Sequence, residues 1–355
     1  MNRRGRVRSL GKAIALSGVL TAPAMGVGGQ SPSETTELES GVDAVLQAVS
    51  PVGAGVVWVS GHEGVVLRST DAGDTWVRRP VQTLDSLQFR DIHAFDAGRA
   101  VVLSAGPGSQ SRIYRTDDGG ATWSPTWVND EPEGFYDCLD FWDERRGVAY
   151  GDAVGGELRI LLTGDGGRTW RRLDGAALPP AVEGEGGFAA SGTCVETGPD
   201  GRAWIGTGAG ERARLLATAD YGDTWAATDL PIVSGSGAGA FSVVFGDDRL
   251  GVVLGGDLGQ PDGFTDNVAI TDDGGVTWDL ATRTPIPGAV YGGAMGSDGA
   301  GSPILLAAGP GGLAVTSDAT GPWRLVDPGR FWAVGASGST AWAVGPSGRI
   351  LRLRW

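Results

Sequence analysis

The chain is a succession of short apolar runs broken by Gly, Asp, Ser and Thr. Val65-Val66-Leu67, Arg112-Ile113-Tyr114, Leu158-Arg159-Ile160-Leu161-Leu162, Leu215-Leu216 and Val268-Ala269-Ile270 are each followed at once by an Asp/Gly segment. Runs of this length, rich in β-branched and aromatic residues and bounded by turn formers, predict strands rather than helices. The segments between them predict hairpins. Asp accepts hydrogen bonds from nearby backbone N–H groups, and Gly supplies a positive φ without a Cβ clash. A second set of runs ends in Gly shortly before each such turn: Trp58-Val59-Ser60-Gly61, Val148-Ala149-Tyr150-Gly151, Trp204-Ile205-Gly206 and Trp342-Ala343-Val344-Gly345. These read as the second strand of a repeating unit.

The turn itself repeats. Ser69-Thr70-Asp71-Ala72-Gly73-Asp74-Thr75-Trp76 returns around Asp118/Trp123, Asp165/Trp170, Asp220/Trp225 and Asp273/Trp278, with the shared pattern [ST]-x-D-x-G-x-T-W. A worn copy ends at Trp323. The spacing is about 45–55 residues, and several short strands per period predict a β-propeller with one blade per repeat. The expected blades cover 42–80, 86–128, 135–173, 187–230, 239–284, 288–327 and 329–355. The last holds only three strand runs and no box. An open edge would leave unpaired backbone groups, so a segment within 33–48 is expected to pair there and close seven blades. Residues 30–41 are accordingly a linker or closing strand, and 42–355 the all-β propeller.

These boxes resemble the Asp-box, or bacterial neuraminidase repeat, of sialidases, xyloglucanase-type hydrolases and sortilin-like receptors. The pattern from Val42 to Trp355 is most similar to the photosystem II stability/assembly factor-like propellers, some of which carry the label "oxidoreductase". The resemblance implies the fold and a structural role for Asp71, Trp76, Asp118, Trp123, Asp165, Trp170, Asp220, Trp225, Asp273 and Trp278. It does not name a function, because one scaffold serves enzymes, receptors and assembly factors.

Residues 1–29 are set apart. Arg3, Arg4, Arg6, Arg8 and Lys12 precede an apolar stretch from Ala13 to Leu20 and then small residues. This predicts a signal peptide, too short for an ordinary spanning helix. The export route it suggests is the general one, with a periplasmic or secreted destination. The whole chain carries a formal charge of −14, and loss of the basic leader makes the body more acidic still. Such a body disfavours nucleic acid and anionic membranes as partners. The two cysteines, Cys138 and Cys194, fall near the inner strands of adjacent blades, where a disulfide is expected in an exported chain.

Candidate chemistry follows from the register. Box turns lie on one face of a propeller; loops between blades lie on the other, over the channel mouth. That places Arg90, Asp91, Tyr136, Asp137, Asp152, Glu185, Phe188, Asp257 and Tyr291 near the mouth as candidates for binding a ligand or partner. Carboxylates in such a place can also work as a pair in glycoside hydrolysis. Ordinary roles, capping turns and filling the channel, compete for each residue.

Catalytic signatures are absent from the sequence. There is no Arg-Ile-Pro segment of the sialidase kind, no Gly-rich nucleotide loop and no Ser-His-Asp pattern at His62 or His93. The loop from Asp257 to Asn267 is acidic but does not follow calcium-loop spacing. No cofactor or metal is expected. The sequence thus points to an exported, monomeric, non-catalytic binding or assembly-assisting scaffold. Its partner would be an envelope or extracellular protein, or a glycan. The enzyme alternative is a glycoside hydrolase or lyase using acidic residues at the mouth.

Overall fold

The computed structural model describes Met1 and residues 31–82 and 87–355. The expected leader lies outside the described residues apart from Met1. Seven four-stranded antiparallel sheets form the seven blades of an all-β propeller. The inner strands are Leu46–Val52, Phe89–Ala94, Tyr136–Phe141, Val195–Thr197, Ala238–Phe245, Gly292–Ser297 and Ala333–Ser337. Strand Glu34–Leu38 pairs with Ile350–Arg354 and becomes the outermost strand of the last blade. The ring is therefore closed by the N-terminal segment, as the missing strand of the final repeat required. Arg349 reinforces the seam by binding both Glu37 and Asp327.

Each box is a small, self-contained hydrogen-bond cage. In the first, Ser69 Oγ donates to Asp71 Oδ1 (2.7 Å) and accepts the Gly73 N–H (2.8 Å). The Thr75 N–H and Oγ1 donate to the two oxygens of Asp71 at 2.9 and 2.6 Å. The same bonds recur on Asp118, Asp165, Asp220 and Asp273. Bonds to the ionised form hold a carboxyl low. Asp71 and Asp118 are drawn down to about 2, chiefly by their bonds from Thr75 and Thr122. The worn sixth copy differs: Asp318 Oδ1 binds Thr320, two residues on instead of four.

The cage presents a glycine to the neighbouring blade. Gly73, Gly120 and Gly275 have positive φ and press onto Trp342, Trp58 and Trp204 of the preceding blade. A Cβ there would meet the indole. The indoles are fully buried, and their Nε1 groups donate to Ala72 O, Asp96 O and Gly274 O at 3.0 Å each, all on the following blade. Trp142 does the same to Arg202 O, beneath Gly222. Buried indole N–H groups need such a partner. The tryptophans are thus both core and staple between blades.

Two expectations follow. Trp204→Ala removes a buried indole, a staple and the stacking on Phe245 (3.6 Å), and lowers unfolding stability in a denaturant titration by about 3–5 kcal/mol; a loss below about 1 kcal/mol contradicts the stapling account. The depressed box carboxyls stabilise the fold fully above their ordinary range near pH 4, and that contribution disappears as pH falls toward about 2. The urea midpoint should drop across that window, and less steeply in an Asp118→Asn variant.

Candidate functional site

One segment departs from the regular blade. The fourth blade was expected to begin at 187, but its inner strand starts only at Val195. Residues 187–193 instead leave the sheet and cross the channel. Gly186 is pinned to Gly208 by two reciprocal backbone bonds, 3.0 and 2.9 Å. Beyond it, the segment reaches blades on every side. Gln47 Nε2 of blade one donates to Ala189 O at 2.9 Å, and Arg90 of blade two to the same oxygen at 3.4 Å. Ser191 Oγ donates to Tyr291 O of blade six (2.7 Å), and Thr193 Oγ1 to Ser242 Oγ of blade five (2.8 Å). Gly192, with φ of +77°, sits against the Asp91 carboxyl with no room for a Cβ. The segment is a plug, and its small residues are what let it lie across the channel.

The plug divides the axis into two spaces. On the mouth side is a hollow of about 230 Å³ lined by Gln47, His62, Arg90, Phe188–Ala190, Phe241, Leu258, Tyr291 and Trp332. Its wall is a row of rings from four blades. Phe188 stacks on Phe241 at 3.8 Å, Phe241 lies parallel to Tyr291 at 5.7 Å, and Tyr291 meets Trp332 edge-on at 5.5 Å. Opposite the rings are Arg90, held by Gln88, and the His62–Gln47 pair at 2.6 Å. Burial, and then the Arg90 charge, hold His62 below its ordinary value. Leu258 stands 46% exposed at the rim. The hollow offers flat apolar faces with one cation and no carboxylate among its lining residues.

On the box side is a channel cavity of about 350 Å³, touched by all seven blades. His93 Nδ1 lies 2.8 Å from Asp140 Oδ1, and Asp140 Oδ2 accepts both the N–H and Oγ1 of Thr197, each at 2.8 Å. Glu196 stands beside them. Burial, with the charge of Asp140 adding, pushes its carboxyl well above the usual range.

The sequence-derived candidates fall into three environments. Arg90, Phe188 and Tyr291 line the mouth hollow. Asp91, Asp137, Asp152 and Glu185 sit under or beside the plug. Asp91 is buried, binding the N–H groups of Ile92 and Leu139, and burial holds its carboxyl high. Glu185 forms a buried ion pair with Arg214 at 2.5 Å and accepts from Thr207 and the Val182 N–H. The Asp152 and Asp137 carboxyls lie directly below Gly186 and Gly187, and burial holds both above their ordinary range. Tyr136 turns between blades onto Trp127, and Asp257 caps its own loop through the Gly259 N–H and Gln260 Nε2. The sequence reading passed over Gln47, Phe241, Leu258 and Trp332. The register that selected Arg90 and Tyr291, carried to the matching positions of blades one, five and seven, finds Gln47, Phe241 and Trp332.

The expected disulfide is present. Cys138 and Cys194 are bonded, with Cα atoms 5.9 Å apart, and both are fully buried. It ties the end of the plug to blade three. Among the described residues no helix is long and apolar enough to cross a membrane, and no group of His, Cys, Asp and Glu is arranged to hold a metal.

Comparison with known proteins agrees with this architecture. The BNR/Asp-box repeat family matches residues 114–125. No curated protein matches the chain in sequence. Among solved structures, the chain is similar to "YCF48 bound to D1 peptide", at 17% identity and a TM-score of 0.63, covering 95% of this chain and 100% of that one. It is similar also to YCF48 from Cyanidioschyzon merolae, at 16% identity and a TM-score of 0.62, covering 90% and 98%. Virginiamycin B lyase from Staphylococcus aureus matches at 14% identity and a TM-score of 0.62, covering 91% and 99%. At these identities the likeness is one of fold.

The disulfide closes a long loop, and replacing both Cys138 and Cys194 by Ala should lower stability by about 2–5 kcal/mol. A thermal melt with and without reductant checks this, and wild type insensitive to reductant under unfolding conditions contradicts it. Blade count, ring closure and these likenesses make the fold a seven-bladed propeller, and its five complete turns repeat the geometry of the box.

Proposed function

We propose that this protein is an exported, non-catalytic binding propeller that presents its aromatic mouth to an envelope or extracellular protein. The observation that carries the reading is the plug. It seals the channel beneath the mouth and leaves a shallow hollow walled by Phe188, Phe241, Tyr291 and Trp332. Aromatic faces beside a single Arg are the composition of protein-binding hot spots. The raised carboxyls nearest the mouth, Asp91, Asp137 and Asp152, are by contrast covered by the plug, whereas a hydrolase at the mouth needs its two carboxyls facing each other across an open cleft. A buried disulfide favours an oxidising compartment. The solved relative bound to a peptide lends support by fold alone.

Recovery of partners from the native envelope tests the proposal, with wild type compared against a Tyr291→Ala/Trp332→Ala variant. Both side chains are only partly buried, so the variant should fold. A protein partner recovered by wild type and reduced tenfold or more in the variant is the expected result. Equal recovery by both overturns the mouth as the binding surface. Bound glycan, or turnover of envelope polysaccharide, replaces the reading with the lectin or hydrolase alternative.

A further inference from the structure

The floor of the mouth rests on two carboxyl groups. Asp152 Oδ1 accepts the Gly187 N–H at 2.9 Å, and the buried Asp137 carboxyl lies against Gly187. Asp137 Oδ2 is buried without a hydrogen-bond partner among the described residues, and the Asp152 charge adds to burial in raising the Asp137 carboxyl. Gly186 lies on the Asp152 carboxyl, and Gly187 lies on Asp137 and the Tyr150 ring, with no space for a Cβ at either. The plug therefore sits in direct contact with the pair.

We propose that the plug is a proton-controlled floor: residues 187–193 stay seated while the Asp137–Asp152 pair is protonated, and lift from the mouth as the pair ionises. This inference rests on the reading of the mouth as the binding surface, because Phe188, Ala189 and Ala190 belong to both plug and hollow.

The groups around the pair do not neutralise it. Arg90 of blade two is the facing cation and draws Asp137 down, but burial and the Asp152 charge act more strongly in the other direction. Tyr150 approaches from the second strand of blade three, fully buried, with its hydroxyl held well above the usual range, chiefly by burial. Glu185 also faces Tyr150, but its charge is matched by Arg214. Asp91 lies farther along the plug under Gly192 and adds no positive charge. Two anions in contact would thus share one half-buried guanidinium.

The sign follows by linkage. Burial pushes Asp152 up to about 6 while the plug is seated, and holds Asp137 well above its ordinary value. In the lifted state both meet water and return to about 4. The seated state is favoured fully below about pH 4. It loses ground as pH rises through about 6, by about 100-fold for the Asp152 proton, since each pKa unit is a factor of ten. The Asp137 carboxyl, also held up by burial, acts in the same direction.

Hydrogen exchange at the Gly187 and Ala189 amides tests this on the whole protein at pH 4.5 and 7.5. Rates are corrected for intrinsic chemistry and referenced to Val253 in blade five. Protection should fall tenfold or more at the higher pH, and Asp152→Asn or Asp137→Asn should each flatten the change. Protection that is equal at the two pH values, or a fall that persists undiminished in both variants, overturns the proposal. Partner recovery with the Tyr291→Ala/Trp332→Ala variant at pH 4.5, where the plug is seated, separates the two readings. Equal recovery there defeats the mouth while the exchange result stands; flat exchange with lost recovery defeats only the proton control.

Discussion

The fold depends on a glycine seated against an indole. Each complete box bends the chain so tightly that its fifth position must take a positive φ. Where the preceding blade offers Trp58, Trp204 or Trp342, that glycine packs flat on the ring. The indole N–H then reaches forward to a carbonyl of the next blade. A local turn thereby becomes the joint between two sheets, and the five complete boxes join neighbouring blades in this way. Where the second strand lacks the Trp, Val101 and Phe141 cover Gly167, and Leu162 and Trp142 cover Gly222. The chemistry of the joint varies while its shape is kept.

This explains what was legible in the sequence. The box must carry Asp to hold Thr, Thr to bind Asp, and Gly to pass under the neighbour, so the repeat announces both the turn and the period. The unfinished last repeat announces the closing strand, found at Glu34–Leu38. The plug was hidden for a physical reason. Gly186-Gly187-Phe188-Ala189-Ala190-Ser191-Gly192 reads as the approach to an inner strand, and nothing in strand patterning separates a residue that joins a sheet from one that crosses a channel. The paired glycines were a signal in hindsight: a Cβ at either would strike a carboxyl. The carboxyls themselves were found by register, but their burial depends on the plug and so was beyond reach.

The plug also orders the functional picture. Without it, Asp91, Asp137 and Asp152 would line an open pore and invite a catalytic reading. With it, they become the underside of a surface whose outer face is aromatic. The lower channel keeps its own polar set in His93, Asp140 and Glu196, opening toward the boxes. The two ends of the axis thus differ in chemistry: flat rings and one arginine at the mouth, carboxyls and a histidine below.

The most direct test is site-specific photo-crosslinking in the living cell, with the photoreactive residue at Leu258 on the mouth rim or at Val276, 69% exposed on a box turn. The account predicts a discrete crosslinked protein from Leu258 and none from Val276. A partner captured from Val276 and not from Leu258 would place recognition on the box face and contradict it.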